Sequence, residues 1–265
     1  MPGLHKLHKP FRKLRAAAKT WKPPACDHTV TVNDLLYSDI AGAVQLPTFE
    51  QKSRSLGRYE EDLEFASASL LERLALGALV RRHAPMTLFE IGTFRGVTAL
   101  TMALNAPEGF TLYTLDLPQE LTFEQVVEQQ YARGAVGALH RMVARGVERR
   151  QVGLAYRNRQ LPGKIEQLFG DSTTMDFAPW AAQIDSFFVD GCHDAEPAYR
   201  DTQTAWSCLK PGGMIIWHDY RWRSVQAGVQ RCRLPAPITW VQDTSVAFAY
   251  KPQPVGANGT GRDGS

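Results

Sequence analysis

The stretch from Leu88 to Thr98, Leu-Phe-Glu-Ile-Gly-Thr-Phe-Arg-Gly-Val-Thr, constrains the fold more than any other part of the chain. A short apolar run ends in an acid, two glycines follow four residues apart, and the next residues can start a helix. This pattern predicts a strand, a tight turn and a helix, with backbone amides at the turn open to a ligand. Gly92 and Gly96 carry no Cβ, so backbone and ligand can approach closely there. Glu90 at the strand end argues against a pyrophosphate, because the two anions would repel. It suits a ligand bearing a cation.

S-adenosylmethionine, with its sulfonium and amino acid part, is the nucleotide-like cofactor that fits. The run Glu90-Ile91-Gly92-Thr93-Phe94-Arg95-Gly96 resembles the first motif of class I S-adenosylmethionine-dependent methyltransferases. Val189-Asp190-Gly191-Cys192-His193, Leu209-Lys210-Pro211-Gly212-Gly213 and Trp217-His218-Asp219-Tyr220 follow in order. Together they resemble the branch of cephalosporin-hydroxylase-like, macrolide-sugar and rhamnosyl O-methyltransferases, over roughly Leu88 to Lys251. The resemblance implies an α/β, Rossmann-like, seven-stranded and mostly parallel sheet with helices on both faces and the last strand antiparallel.

The strand–helix alternation read from the residues agrees with a mostly parallel sheet. Strands are expected near Leu88–Ile91, Thr111–Leu115, Ile165–Phe169, Ile184–Val189, Met214–His218, Ile238–Val241 and Ser245–Tyr250, and a long helix over Arg58–Arg82. Four segments result: a basic amphipathic N-terminal segment over residues 1–25, a helical cap region over 26–82, the methyltransferase domain over 83–251, and a disordered tail over 252–265. The segment Thr122 to Arg150 exceeds a normal connection. It is long enough for substrate contacts or for those of a homo-oligomer.

Charge is unevenly spread. Residues 1–22 hold seven of the 30 Lys and Arg and none of the 27 Asp and Glu, leaving 23 against 27 elsewhere, a balance of −4. Leu4, Leu7, Phe11, Leu14, Ala18 and Trp21 form an apolar stripe between these basic residues, interrupted by Pro10. Such a segment can lie peripherally on an anionic membrane, pack on the body, or stay a flexible arm. The four cysteines show no paired spacing, and no stretch has the apolar length of a membrane span. A cytoplasmic protein is expected.

Asp116 ends the second strand of the domain, where an acid can accept both ribose hydroxyls. The resemblance places the acid of Asp171-Ser172 at the adenine; read alone, Gly170-Asp171-Ser172 is a turn. Glu90, Gly92, Thr93, Gly96, Asp116, Asp171 and Ser172 are thus the candidate S-adenosyl-L-methionine ligands. His193, three residues past Asp190, is placed to take a proton from a hydroxyl. Asp190 and Asp219 offer two carboxylates to a divalent cation such as Mg²⁺ or Mn²⁺. The resemblance implies two adjacent acids at the second of these strand ends; here the first of them is His218, so the metal candidates are Asp190, His218 and Asp219. Imidazole favours Mn²⁺ or Fe²⁺ over Mg²⁺.

The leading expectation is metal-assisted O-methylation of a small-molecule or glycan hydroxyl. An RNA methyltransferase is an alternative carried by the basic arm, but nucleic acid is disfavoured by the missing Asn- or Asp-Pro-Pro-aromatic motif and the absence of a basic stripe on the body. A non-catalytic cofactor-binding regulatory protein is the other, carried by His218.

Overall fold

A computed structural model describes residues 24–37, 42–47, 68–118 and 152–254. The amphipathic segment expected over residues 1–22, the Thr122–Arg150 segment and residues 255–265 of the expected tail lie outside them. Among the described residues, strands β1 (His28–Val30), β2 (Thr87–Ile91), β3 (Thr111–Asp116), β4 (Lys164–Phe169), β5 (Ile184–Val189), β6 (Leu209–Trp217), β7 (Thr239–Val241) and β8 (Ala247–Tyr250) form one sheet. Its order is β1-β7-β8-β6-β5-β2-β3-β4. All pairings are parallel except those of β8 with β6 and β7. The expected seven-stranded, mostly parallel frame is present.

An eighth strand, β1, adds to the outer edge by pairing with β7. The sequence places this stretch in the helical cap region expected over 26–82. Three residues cannot display a two-residue period, and two of the three face solvent, so backbone pairing alone makes the strand.

Helices α1 (Val32–Tyr37), α2 (Leu70–His83), α3 (Val97–Asn105), α4 (Ala195–Cys208) and α5 (Arg223–Arg231) cover the sheet. Alternation along the central strands divides the core. Leu88, Leu112, Phe188 and Ile216 pack with α2 and α3, while Phe89, Leu115, Phe187 and Trp217 pack with α4 and α5. Successive side chains point to opposite faces, so a strand covered on both sides must be apolar nearly throughout.

Helix α2 replaces the later part of the helix expected over Arg58–Arg82; residues 58–67 lie outside the described residues. Ser69 caps it: Ser69 Oγ accepts from the Glu72 N–H and Glu72 Oε2 accepts from the Ser69 N–H at 2.7 Å. This reciprocal box satisfies two donors that a helix start otherwise leaves unpaired.

Candidate active site

The turn after β2 is built by close backbone approach. Gly92 sits at φ +99°, and a Cβ there would lie 2.0 Å from the Asp190 carbonyl oxygen. Gly92 therefore lets the ends of β2 and β5 meet. At Gly96, φ +78°, a Cβ would strike the Tyr156 ring at 2.5 Å. Phe94, between them, is also left-handed at φ 47°. The Gly153 and Ala155 N–H groups clamp the Phe94 and Arg95 carbonyls, each at 2.9 Å.

A polar chain lies beneath this turn. Gln167 Nε2 donates to Thr93 Oγ1 at 3.1 Å, and Thr93 Oγ1 lies 2.7 Å from Thr114 Oγ1. Thr114 donates to Glu90 Oε2, and Thr98 Oγ1 donates to Glu90 Oε1 at 2.6 Å. Glu90 is fully buried. Burial pushes its carboxyl up to about 8 against the two threonine hydrogen bonds, with the charges of Asp190 and Asp116 adding to the rise. Thr93 and Glu90 thus meet each other in one network under the turn.

Asp116 Oδ2 accepts from the Phe94 N–H and Oδ1 from the Leu117 N–H, each at 2.7 Å. Asp171 Oδ1 accepts from the N–H and hydroxyl of Thr173, both at 2.8 Å, so this acid closes a turn after β4. Ser172 hydrogen-bonds Asp201 of α4, a buried carboxyl pushed up to about 7 by desolvation. Asp201 escaped the sequence reading because a helix position separates it from every motif.

The second group gathers at the ends of β5 and β6. The His218 N–H donates to the Val189 carbonyl at 3.0 Å and the Asp190 N–H to Ile91 at 2.9 Å, which levels the strand ends. Asp219 then turns left-handed, φ 50°. His193 Nε2 lies 2.9 Å from Asp219 Oδ2 and 3.6 Å from Asp190 Oδ1. His218 Nδ1 faces the same two oxygens, 3.1 Å from Asp190 Oδ1 and 3.5 Å from Asp219 Oδ2. Two imidazoles therefore flank one pair of carboxylate oxygens.

The sequence reading named His218 as the nitrogen ligand and His193 as the base; both rings reach the acids. Ligand atoms of Asp190, His193 and Asp219 all lie within 4.8 Å of one another, close enough to hold one ion. The Trp222 ring stands 5.6 Å from His193, while Tyr220 is wholly buried and donates its hydroxyl to the Ala25 carbonyl. Of the aromatics beyond this strand end, Trp222 walls the site and Tyr220 belongs to the frame.

Carboxylate charge decides protonation here. Burial alone would lower the His193 pKa, but the Asp219 charge and hydrogen bonds to Asp190 and Asp219 outweigh it and raise it to about 9. His218 is raised for the same reason, and Asp219 is held below the usual carboxylate range by both imidazoles.

One member was missed from sequence. Glu72 Oε2 stands 3.5 Å from His218 Nε2, and its Oε1 accepts from the Ser245 N–H at 2.8 Å. Burial would raise this carboxyl, yet His218 and the Ser69 hydrogen bonds bring it to about 2. Ser69-x-x-Glu72 is a readable capping signature, but it announces a helix start, not a partner on β6.

Turn, strand-end acids and sheet order together define a methyltransferase. Residues 89–220 match the family model described as a methyltransferase domain, and this part of the chain is a class I S-adenosylmethionine-dependent methyltransferase domain. No curated protein matches the chain. Among solved structures, a Corynebacterium glutamicum protein is 15% identical, with 77% of this chain and 93% of that one covered, at a TM-score of 0.51. The O-methyltransferase TomG from Streptomyces achromogenes, in complex with SAM, is 15% identical over 91% of this chain and 96% of its own, TM-score 0.46. The Bacillus cereus O-methyltransferase in complex with SAH is 14% identical over 89% and 96%, TM-score 0.45. At 15% identity the likeness to the Corynebacterium glutamicum protein is one of fold. Among the described residues no helix is long and apolar enough to cross a membrane.

Proposed function

We propose that the protein methylates a hydroxyl of a small-molecule or glycosyl acceptor, with a divalent cation assisting. The observation that carries this reading is His193 Nε2 against Asp219 and Asp190 at two adjacent strand ends. In open α/β sheets the crevice outside these ends is where ligands bind. S-adenosylmethionine supplies an electrophilic methyl group on a sulfonium. Asp116 and Asp190 lie at the ends of the strands on either side of Glu90, and their charges help to keep its carboxyl protonated, an electrostatic setting that favours a cationic ligand.

Asp116 receives the ribose: it ends β3 beside the turn, where its oxygens accept the Phe94 and Leu117 N–H groups and an acid can also accept ribose hydroxyls. The Asp171–Ser172 turn, braced by Asp201, receives the adenine end. Asp190, Asp219 and His218 Nδ1 form a donor set that suits a divalent ion, which would lower the pKa of an acceptor hydroxyl.

His193 then acts as base. Its Nε2, which now faces Asp219 Oδ2, would take the hydroxyl proton as the oxygen–methyl bond forms and the sulfur–methyl bond breaks, once that carboxylate is engaged by a bound ion. At a pKa of about 9 the ring keeps its proton near neutrality. Positive charge from a bound ion or cofactor would offset the carboxylates and free the ring for this role. Orientation by the turn and the strand ends supplies much of the rate.

The test is methyl transfer to a panel of sugars, phenols and small alcohols with Mn²⁺ or Mg²⁺ present. Methyl-ether products are expected, with His193→Gln slower by about 10²–10⁴-fold while still binding cofactor and metal. Transfer to nitrogen alone, or full activity in the variant, would contradict the reading. The basic residues 1–22 suit peripheral contact with an anionic membrane; vesicle co-sedimentation, lost on their removal, tests that extension.

A further inference from the structure

We infer that Glu72 is a positioning residue for the metal-binding centre, fixing the His218 ring so that the site selects Mn²⁺-like ions over Mg²⁺. The inference rests on the metal-assisted reading above. A neutral imidazole carries one proton, and the nitrogen opposite the hydrogen-bonded one presents a lone pair. His218 has carboxylates at both edges: Glu72 Oε2 is 3.5 Å from Nε2, while Asp190 and Asp219 face Nδ1 at 3.1 and 3.5 Å.

Glu72 cannot easily turn away. Its Oε2 accepts the Ser69 N–H at 2.7 Å and its Oε1 the Ser245 N–H at 2.8 Å. Ser245 is in turn tied to the site, its carbonyl accepting the Tyr220 N–H at 2.9 Å, one residue past Asp219. The carboxylate is thus anchored between the start of α2 and the loop before β8, with its charge against Nε2. Were a cation to take Nδ1 beside Asp190 and Asp219, the ring's one remaining proton would sit on Nε2, facing Glu72.

A carboxylate behind a ligating histidine fixes the ring and raises its basicity, and losing such a partner typically weakens metal affinity by about 10–100-fold. A site with an imidazole donor beside two carboxylates prefers Mn²⁺ or Fe²⁺ to the oxygen-seeking Mg²⁺.

The experiment titrates the full chain with MnCl₂ and, separately, MgCl₂, following heat and the electron paramagnetic resonance of free Mn²⁺. Wild type should bind Mn²⁺ at least about tenfold more tightly than Mg²⁺. Glu72→Gln keeps an acceptor for the Ser245 N–H but loses the charge behind His218. It should lose about tenfold or more in Mn²⁺ affinity and less in Mg²⁺ affinity, so the ratio collapses. Ser69→Ala controls for the helix cap: it should lower the melting temperature and leave the ratio alone. His218→Asn should reproduce the Glu72→Gln ratio, which covers the case where Glu72→Gln folds poorly.

An unchanged ratio in a folded Glu72→Gln, or in His218→Asn should Glu72→Gln fold poorly, would overturn this inference while leaving the metal-assisted reading intact. A ratio that falls equally in Ser69→Ala would also overturn it, since the cap alone would then explain the effect. Cofactor binding with no metal binding by wild type would overturn the metal-assisted reading itself and this inference with it.

Discussion

Asp116 and Phe94 are joined across the cofactor turn: Asp116 Oδ2 accepts the Phe94 backbone N–H at 2.7 Å, while Phe94 holds a left-handed φ of 47°. Left-handed backbone is costly for a residue with a branched or bulky side chain, and it persists only where its surroundings enforce it. The end of β3 therefore shapes the turn after β2 before any ligand arrives. One carboxylate would hold the turn and receive the ribose.

Asp116→Asn follows from that double duty. An amide has a single acceptor oxygen, so one of the two N–H groups now held by Asp116 must face an NH₂ group. An unsatisfied, partly buried donor costs about 1–3 kcal/mol. The variant should melt earlier than wild type and bind S-adenosylmethionine at least about tenfold more weakly, as ribose hydroxyls lose an acceptor. Denaturant melts beside calorimetric titration would show it; unchanged affinity would remove Asp116 from the ribose site.

Gly92→Ala tests the close approach of β2 and β5. The added methyl would sit 2.0 Å from the Asp190 carbonyl oxygen, a backbone atom that cannot swing aside, and at φ +99°. Strain and overpacking together should destabilise by roughly 2 kcal/mol or more. Because Asp190 must move, cofactor binding should also weaken. A thermal melt within a degree of wild type would show that the two strand ends are not so tightly joined.

Glu90 predicts a pH effect. Its folded-state pKa of about 8 lies above the ordinary 4.5, so the native state retains a proton that the unfolded chain has released. That stabilisation is complete below the unfolded value and is lost as pH rises through about 8. Cofactor-free protein should therefore lose stability between pH 5 and 8 by at most about 1.4 kcal/mol per pH unit from this group. Glu90→Gln should flatten the slope by up to one proton in urea melts at stepped pH. An equal slope in both proteins would show that Glu90 is not protonated in the native state.

What could be read from sequence was local. The glycine turn, the strand-end acids Asp116, Asp190 and Asp219, and the central strands are contiguous patterns, and the observed strands fall within a few residues of their expected positions. The start of β6 was misplaced because Lys210–Gly213 looks like a turn yet continues the strand from Leu209, with a register shift against β5 between Ile184 and Ser186. Glu72 and Asp201 could not be read as site residues. Each belongs to a helix whose local pattern explains it fully, and each reaches the site only when the helix packs on the sheet. His218 was legible as a departure from the resembled pattern, but Glu72, the carboxylate at the opposite edge of its ring, was not.

The most direct test of the central claim is calorimetric titration of the purified chain with S-adenosylmethionine, beside Asp116→Ala. The account predicts saturable one-to-one binding to wild type and its loss in the variant. Absence of binding to a folded wild-type protein would contradict it, and the Glu90–Gly96 turn would then have to serve a different ligand.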